Sequence, residues 1–172
     1  MAFLELAKKR FSVRKYLATP VEKEKLERIL EAGRVAPTAS NNQPQRIVVV
    51  QSPGGLGKLE HGVNPYNAPL ALIVCANLAE SVRNSYTRED SGAVDAVIVT
   101  THMMLEAADL GLGSIWCGQF DPRAVCAGFS LPEGVQPVCI LLVGHTDCAP
   151  DSPNRHATTR KPLNETVFYE SM

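Results

Sequence analysis

The chain has 172 residues, 45% of them hydrophobic and 20% charged, with 17 basic and 18 acidic side chains and a net charge of -1. Such totals fit one globular domain able to bury roughly 70% of its extended surface without a disulfide or metal, and they exclude general nucleic-acid binding, since no overall cationic field exists to release counterions. No run approaches the roughly 20 apolar residues that span a bilayer, and the five cysteines (Cys75, Cys117, Cys126, Cys139, Cys148) are scattered without a C-x-x-C pair, a pattern that reads as reduced and cytoplasmic.

Residues 1–16 are amphipathic and basic, as an organelle transit peptide is, but Glu5 and the short length favour mature structure. Phe3, Leu4, Leu6 and Ala7 predict a short helix ending near Arg10. Arg10, Ser12 and Arg14 then alternate, and in an extended segment alternate side chains share one side. Two guanidiniums and a hydroxyl there suit a carboxylate or a phosphate; the alternative is a solvated basic rim.

Thr19-Pro20-Val21-Glu22 predicts a helix start, with Thr19 as N-cap, Pro20 at the first helical position and Glu22 completing a capping box. Leu26, Ile29, Leu30 and Gly33 form its buried stripe, and Pro37 closes it. The small and amide residues of 36–44 read either as an ordinary surface turn or as a ligand platform held by the strand that follows. Ile47 to Val50 is a continuous β-branched run, expected to be buried on both faces. Gly54, Gly55 and Gly57 lack both the G-x-G-x-x-G and the Walker spacing and read as a plain loop before a short helix.

Ala68 to Ala76 is a second buried strand, and Arg88 to Leu110 reads as the longest helix. Ala93, Val97, Thr100, Met104 and Ala107 mark one stripe on that helix, and Val94, Ile98, Thr101, Leu105 and Ala108 mark a neighbouring one. A helix apolar over most of its girth needs cover on most sides, supplied either by a second copy of the chain or by the centre of a monomer. Gly111-Leu112-Gly113 ends the helix, 114–118 forms a short strand or loop, Asp121 caps another helix, and Val138 to Val143 is a third buried strand. The remainder, 147–172, is a polar, proline-containing tail whose few apolar residues need something to lie against. His61, His102, His145 and His156 are isolated from one another and from the cysteines, so no metal site is expected.

Several separated pieces together resemble the nitroreductase family of flavin mononucleotide (FMN) enzymes. Arg10-x-Ser12-x-Arg14 matches the family's basic opening, and Pro37-Thr38-Ala39-Ser40-Asn41-x-Gln43-Pro44 resembles its Pro-Ser-x-x-Asn-x-Gln-Pro loop, with Thr38 for the usual serine. Asn67-Ala68-Pro69, the run from Asp90 through Gly111 to Trp116-Cys117-Gly118, and the terminal Arg160-Lys161-Pro162-Leu163 are similar to family segments in the same order. The departure is Gln45, where the family often has an aromatic residue.

The resemblance implies a single nitroreductase-like, FMN-binding domain over 1–172, with an α+β fold of a small central β-sheet flanked by helices. It also implies an intertwined homodimer with FMN at the subunit interface. By residue, Arg10 and Ser12 would meet the phosphate and ribityl region. Arg14 would lie near the N1 and O2 edge, where negative charge accumulates on reduction, and so would tune the flavin. Asn41 and Gln43 would bond the pyrimidine edge, Pro37, Thr38 and Ser40 would come from the partner chain, Trp116, Cys117 and Gly118 would lie along the ring near N5, and Arg160 with Lys161 would return to the phosphate. No side chain need act as a nucleophile. The implied activity is hydride uptake from NADH or NADPH and reduction of a small acceptor such as a nitroaromatic or quinone, in ping-pong order. An FMN-binding protein without turnover, serving as a flavin store or redox sensor, is the alternative, and accidental likeness in a site for a sulfate- or nucleotide-like ligand is a third.

Overall fold

Eight residues, Leu70–Asn77, form the central strand of the molecule, and its alternation explains the two cores. In the computed structural model, which describes residues 2–172 and so omits only the first residue of the basic N-terminal segment, this strand has neighbours on both edges and helices on both faces. The strands are β1 (Gln45–Val50), β2 (Leu70–Asn77), β3 (Gly113–Cys117) and β4 (Val135–Gly144), in the order β1-β2-β4-β3 and antiparallel throughout. Leu70, Leu72 and Val74 point to one core and Ala71, Ile73 and Cys75 to the other. A strand covered on both faces must be apolar at every position, as this one is.

The helices are α1 (Phe3–Lys9), α2 (Lys23–Arg34), α3 (Pro53–Leu59), α4 (Gly92–Asp109), α5 (Pro122–Phe129) and α6 (His156–Thr159). The first core joins the sheet to α2 and α4 through Ile29, Val99 and Met103. The second joins it to α3 and α5 through Leu59 and Val125, and includes Val13 and Tyr16 from the extended N-terminal segment. The result is the expected α+β arrangement, in three layers. Asp121 caps α5 as predicted, its Oδ1 accepting from the backbone of Arg123 at 2.8 Å and Ala124 at 3.3 Å. Gly111, at φ +75°, turns the chain out of α4. The register of β2 on β4 shifts between Val74 and Cys75, beside Pro137, which has no N–H to give the ladder.

Four expectations change. Gly54, Gly55 and Gly57 lie inside α3 rather than in a loop before it, because Ser52 caps the helix, its Oγ accepting from the Gly55 N–H at 3.1 Å, and Pro53 opens its first turn. β1 is an edge strand with one neighbour, and Val49 is 39% exposed, so the Ile47–Val50 run is not buried on both faces. Local apolarity says that a strand packs on a core but not how many strands flank it. The second helix starts at Lys23, not Pro20: Val21 is drawn into the core ahead of the helix, and Glu22, in extended conformation, takes the cap position without a side-chain cap bond. The Glu22 carboxylate instead accepts from Lys25 Nζ at 3.1 Å and lies 3.0 Å from His145 Nε2.

The fourth change concerns α4. Its buried face is Gly92, Asp95, Ala96, Val99, Thr100, Met103 and Ala107, so the two predicted stripes share only Thr100 and Ala107 with it. Val94 is 60% exposed and Val97 39%. The apolar girth was legible, but its phase against the core was not: the buried face includes Asp95, one of whose partners, Ala39, lies 56 residues away in sequence. Beyond residue 160 the tail is exposed, Leu163 and Tyr169 strongly so. No helix among the described residues is long and apolar enough to cross a membrane.

Candidate functional site

The basic N-terminal segment runs beside the outer edge of β3. Ser12 bridges Ser114 in parallel register, and the N–H of Val13 donates to Ser114 O at 3.0 Å. Gly113 permits this approach, since a Cβ there would lie 2.8 Å from Val13 Cγ2. Val13 and Tyr16 anchor the segment inward while Ser12 and Arg14 remain exposed, so the expected alternation holds for Ser12 and Arg14, whereas Arg10, the C-cap of α1, is half-buried and borders a cavity with Val13.

Arg10 is half-buried at the head of the segment. Its pKa is lowered by burial and, in turn, by the positive charges of Arg155 and Arg160. Arg155 fastens the C-terminal segment here: its Nη2 donates to Arg10 O at 2.6 Å and its Nη1 to Lys8 O at 3.0 Å. The positive charges of Arg155 and Arg160, from the far end of the chain, thus both bear on Arg10. Arg155 has a loose carboxylate neighbour in Asp151 at 3.7 Å, whereas Arg10, Arg14, Arg160 and Lys161 have none among the described residues. Like charges held together without counter-charges favour an anion with several acceptor oxygens. Beside Arg10 lies a cavity of about 190 Å³ bounded by α1, the end of α4 and β3. Ser114 borders it, and its hydroxyl is buried without a partner.

Arg14 lies farther along the same edge. Burial pushes the Cys117 thiol up, and the nearby Arg14 charge opposes that shift. Trp116 is 37% exposed, and its indole crosses Gly118 so closely that a Cβ there would lie 2.5 Å from Cζ3. Arg10, Ser12, Arg14, Trp116, Cys117 and Gly118 thus lie along the edge of the sheet formed by β3 and the segment beside it, and Arg160, whose charge reaches Arg10, stands with Lys161 in an exposed tail.

Pro37, Thr38, Ser40, Asn41 and Gln43 do not. Their loop sits over the N-terminal end of α4, where the Ala39 N–H donates to Asp95 Oδ1 at 2.8 Å. The Arg10 cavity is bordered by Ala108 at the other end of that helix, about 20 Å away at 1.5 Å per residue. Within one chain the two groups stay apart. The loop is a single unit: Thr38 Oγ1 accepts from the Gln43 N–H at 3.1 Å, and Gln43 Nε2 donates to Asn41 O at 3.1 Å. Whichever chain supplies Ser40 therefore supplies Asn41 and Gln43 too. Ser40, Asn41 and Gln43 all have φ between 51° and 54°, a costly conformation for side chains with a Cβ.

Two residues outside the sequence expectation shape this end. Asp95, 2% exposed, also accepts from Ser91 Oγ at 2.9 Å, and Ser91 Oγ accepts from the Val82 N–H at 3.1 Å. A lone acid inside the apolar run of α4 was the available signal. Glu80 pairs with both Arg46 Nη2 contacts at 2.5 and 2.6 Å, and its carbonyl accepts from Asn42 Nδ2. Gln45, the departure noted above, is half-buried with its Oε1 unpartnered. Arg155 gave no signal within its polar tail.

Comparison with known proteins bears on the family and the fold. The nitroreductase family profile matches residues 7–61 and 57–145. A nitroreductase family protein from Clostridium difficile 630 superposes with a TM-score of 0.98 at 46% identity, covering 100% of both chains. An FMN-dependent nitroreductase from Clostridium difficile R20291 gives 0.82 at 26% identity, covering 98% of this chain and 99% of that one. In sequence, a Methanothermobacter thermautotrophicus protein with the provisional name NADH dehydrogenase/NAD(P)H nitroreductase is 32% identical over 155 residues, 84% of this chain and 78% of its own. The FMN reductase [NAD(P)H] of Bacillus subtilis is 29% identical over 78% of this chain and 61% of its own. With the fold, the segment order and the profile in accord, the chain belongs to the nitroreductase family.

Proposed function

We propose that the protein is an FMN-dependent NAD(P)H oxidoreductase that works as a homodimer, with each flavin held between the arginine end of one copy and the 37–43 loop of the other. The observation that carries this reading is that the charges of Arg155 and Arg160 bear on Arg10 while, among the described residues, no carboxylate pairs with Arg10 or Arg160. A phosphate monoester dianion fits that cluster. Hydrogen bonds to charged groups contribute roughly 1.5–3 kcal/mol each, enough for a few of them to retain a cofactor.

The remaining residues fit a flat ring. Trp116 and Gly118 give the end of β3 an open, partly apolar surface, and the Arg14 charge stands near it, bearing on Cys117. A positive charge there stabilises negative charge on the pyrimidine edge without reorganisation. The loop atoms of Asn41 and Gln43 offer amide donors and acceptors suited to that edge, held in strained but self-bonded conformation. Exposed Val94 and Val97 on α4, with the apolar residues of the tail, supply surface for the second copy, which covers the ring from bulk water. FMN, once bound, accepts a hydride from NAD(P)H and passes electrons to a small acceptor such as a nitroaromatic or quinone. No residue is required as a nucleophile, since the chain binds, orients and tunes.

The test is the visible spectrum of the protein after mixing with FMN, followed by anaerobic NAD(P)H and then a nitroaromatic or quinone. Retained flavin absorbance that bleaches with NAD(P)H and returns with acceptor is expected. A protein that stays colourless contradicts the cofactor assignment, and flavin that binds but never turns over points to a flavin store or redox sensor instead.

A further inference from the structure

The end of α1 is held by the far end of the chain. The last carbonyls of a helix have no partner within it, and two at the end of α1 are taken up by one side chain. Arg155 Nη1 donates to Lys8 O at 3.0 Å and Nη2 to Arg10 O at 2.6 Å, while His156 Nε2 stands 3.2 Å from Lys8 O. Arg10 is the C-cap, where the backbone leaves the helix at ψ 132°. A bond to its carbonyl therefore fixes the step from α1 into the segment that runs beside β3.

The guanidinium that makes these bonds is itself committed. Nη1 also donates to Ser152 O at 3.0 Å, and Nε faces Asp151 Oδ2 at 3.7 Å. Its fork of N–H groups is thus largely spent inside the chain, and the side chain is 20% exposed. The turn Pro153–Arg155 that carries it is braced as well, with Ser152 Oγ accepting from the Asn154 N–H at 3.2 Å. Arg10 is the opposite case: its carbonyl is held, but among the described residues no carboxylate pairs with its guanidinium.

We propose that Arg155 is a positioning residue for the phosphate end of the flavin site: it does not ligate the phosphate but holds the Arg10 backbone so that the Arg10 guanidinium does. This rests on the FMN reading above and separates the residue that places the cation from the cation that binds. An arginine suits the task because its planar fork reaches two carbonyls at once. Its charge also opposes that of Arg10, and a bound dianion offsets the repulsion.

The experiment measures FMN binding to the full-length apoprotein by flavin fluorescence in wild type, Arg155→Gln, Arg10→Ala and the double variant. It then follows reduction by NADH or NADPH, per bound flavin, at saturating FMN. Arg155→Gln is expected to raise the FMN Kd roughly tenfold, with the reduction rate per bound flavin at the wild-type level. In the Arg10→Ala background the same substitution is expected to change the Kd by less than about twofold, because the residue it acts through is gone. Arg155→Lys, which keeps the charge without the fork, is expected to shift the Kd in the same direction and is the variant read if Arg155→Gln does not fold.

An Arg155→Gln Kd within about twofold of wild type overturns the proposal, as does slowed reduction of the bound flavin, which would make the role a general one. A further loss on top of Arg10→Ala overturns it too, since Arg155 would then be a phosphate ligand in its own right. If neither Arg155 variant folds, the residue serves the fold and the proposal falls. All of these leave the flavin reading intact. A wild-type chain that never takes up FMN, or an Arg10→Ala variant that binds it as tightly as wild type, overturns the flavin reading at the arginine end and this proposal together.

Discussion

Asp95 holds Ala39: the buried carboxylate accepts the Ala39 N–H at 2.8 Å, and through this bond the longest helix fixes the loop that carries Ser40 and Asn41. Its second oxygen accepts from Ser91. Near the N-terminus of α4 the charge is also favoured by the helix dipole. Asp95→Ala leaves a backbone N–H and a hydroxyl without their acceptor. A cost of about 2 kcal/mol follows, a fall in Tm of about 4–8 °C for a chain this size. Calorimetry checks the magnitude, and a Tm within 1 °C or so of wild type contradicts it.

Arg10→Ala and Arg14→Ala differ in kind. Arg10 lies in the arginine cluster, so its loss should weaken FMN retention by about ten- to a hundredfold, the worth of one charge-assisted bond. Arg14 lies beside Cys117, and its loss should leave most of the flavin bound but lower the midpoint potential. For a two-electron couple about 30 mV corresponds to 1.4 kcal/mol, and a shift of that order is expected. Dialysis and spectroelectrochemistry separate the two, and equal potentials in Arg14→Ala and wild type refute its tuning role.

Burial pushes the thiols of Cys75 to about 12 and of Cys139 to about 11, and that of Cys117 up as well. At pH 8 Cys75 and Cys139 are neutral, and neutral thiols alkylate slowly. Cys126 and Cys148 are only half-buried. Native protein treated with iodoacetamide should label those two first, as peptide mass spectrometry can read. Raising the pH to 9 leaves Cys75 and Cys139 protonated, so both should still label after Cys126 and Cys148. Rapid labelling of Cys139 in native protein would show that its core opens.

Gln45 keeps its Oε1 buried and unpartnered, an arrangement that costs about 1–3 kcal/mol. Gln45→Leu should raise the stability against urea by roughly 1 kcal/mol. A destabilised variant would mean that the oxygen has a partner in the assembled protein.

The elements whose neighbours are close in sequence were readable from it. The apolar run of β2 specified a strand covered on both faces, Asp121 and Gly111 marked helix ends by local chemistry, and the helix and strand order came out as observed. Long-range choices were hidden. Whether β1 had one neighbour or two, and which side of α4 met the sheet, depended on contacts that no window of the chain contains. The α2 start failed because burying Val21 outweighed a good capping sequence. Of the candidate site, the Arg10-Ser12-Arg14 alternation followed from strand geometry, whereas Arg155 and the Asp95 tie joined segments 145 and 56 residues apart.

The central claim is that each site is built from opposite ends of α4 in two copies, and complementation between two inactive variants tests it most directly. Arg10→Ala damages the arginine end, and Asn41→Trp fills the space in front of the loop, so each homodimer should retain little flavin. In mixed dimers both lesions fall in one site and leave the other intact. Random pairing makes half of the dimers mixed, so flavin and NAD(P)H turnover should return to about a quarter of the wild-type level. A mixture as colourless as its two parents would contradict a site shared between copies.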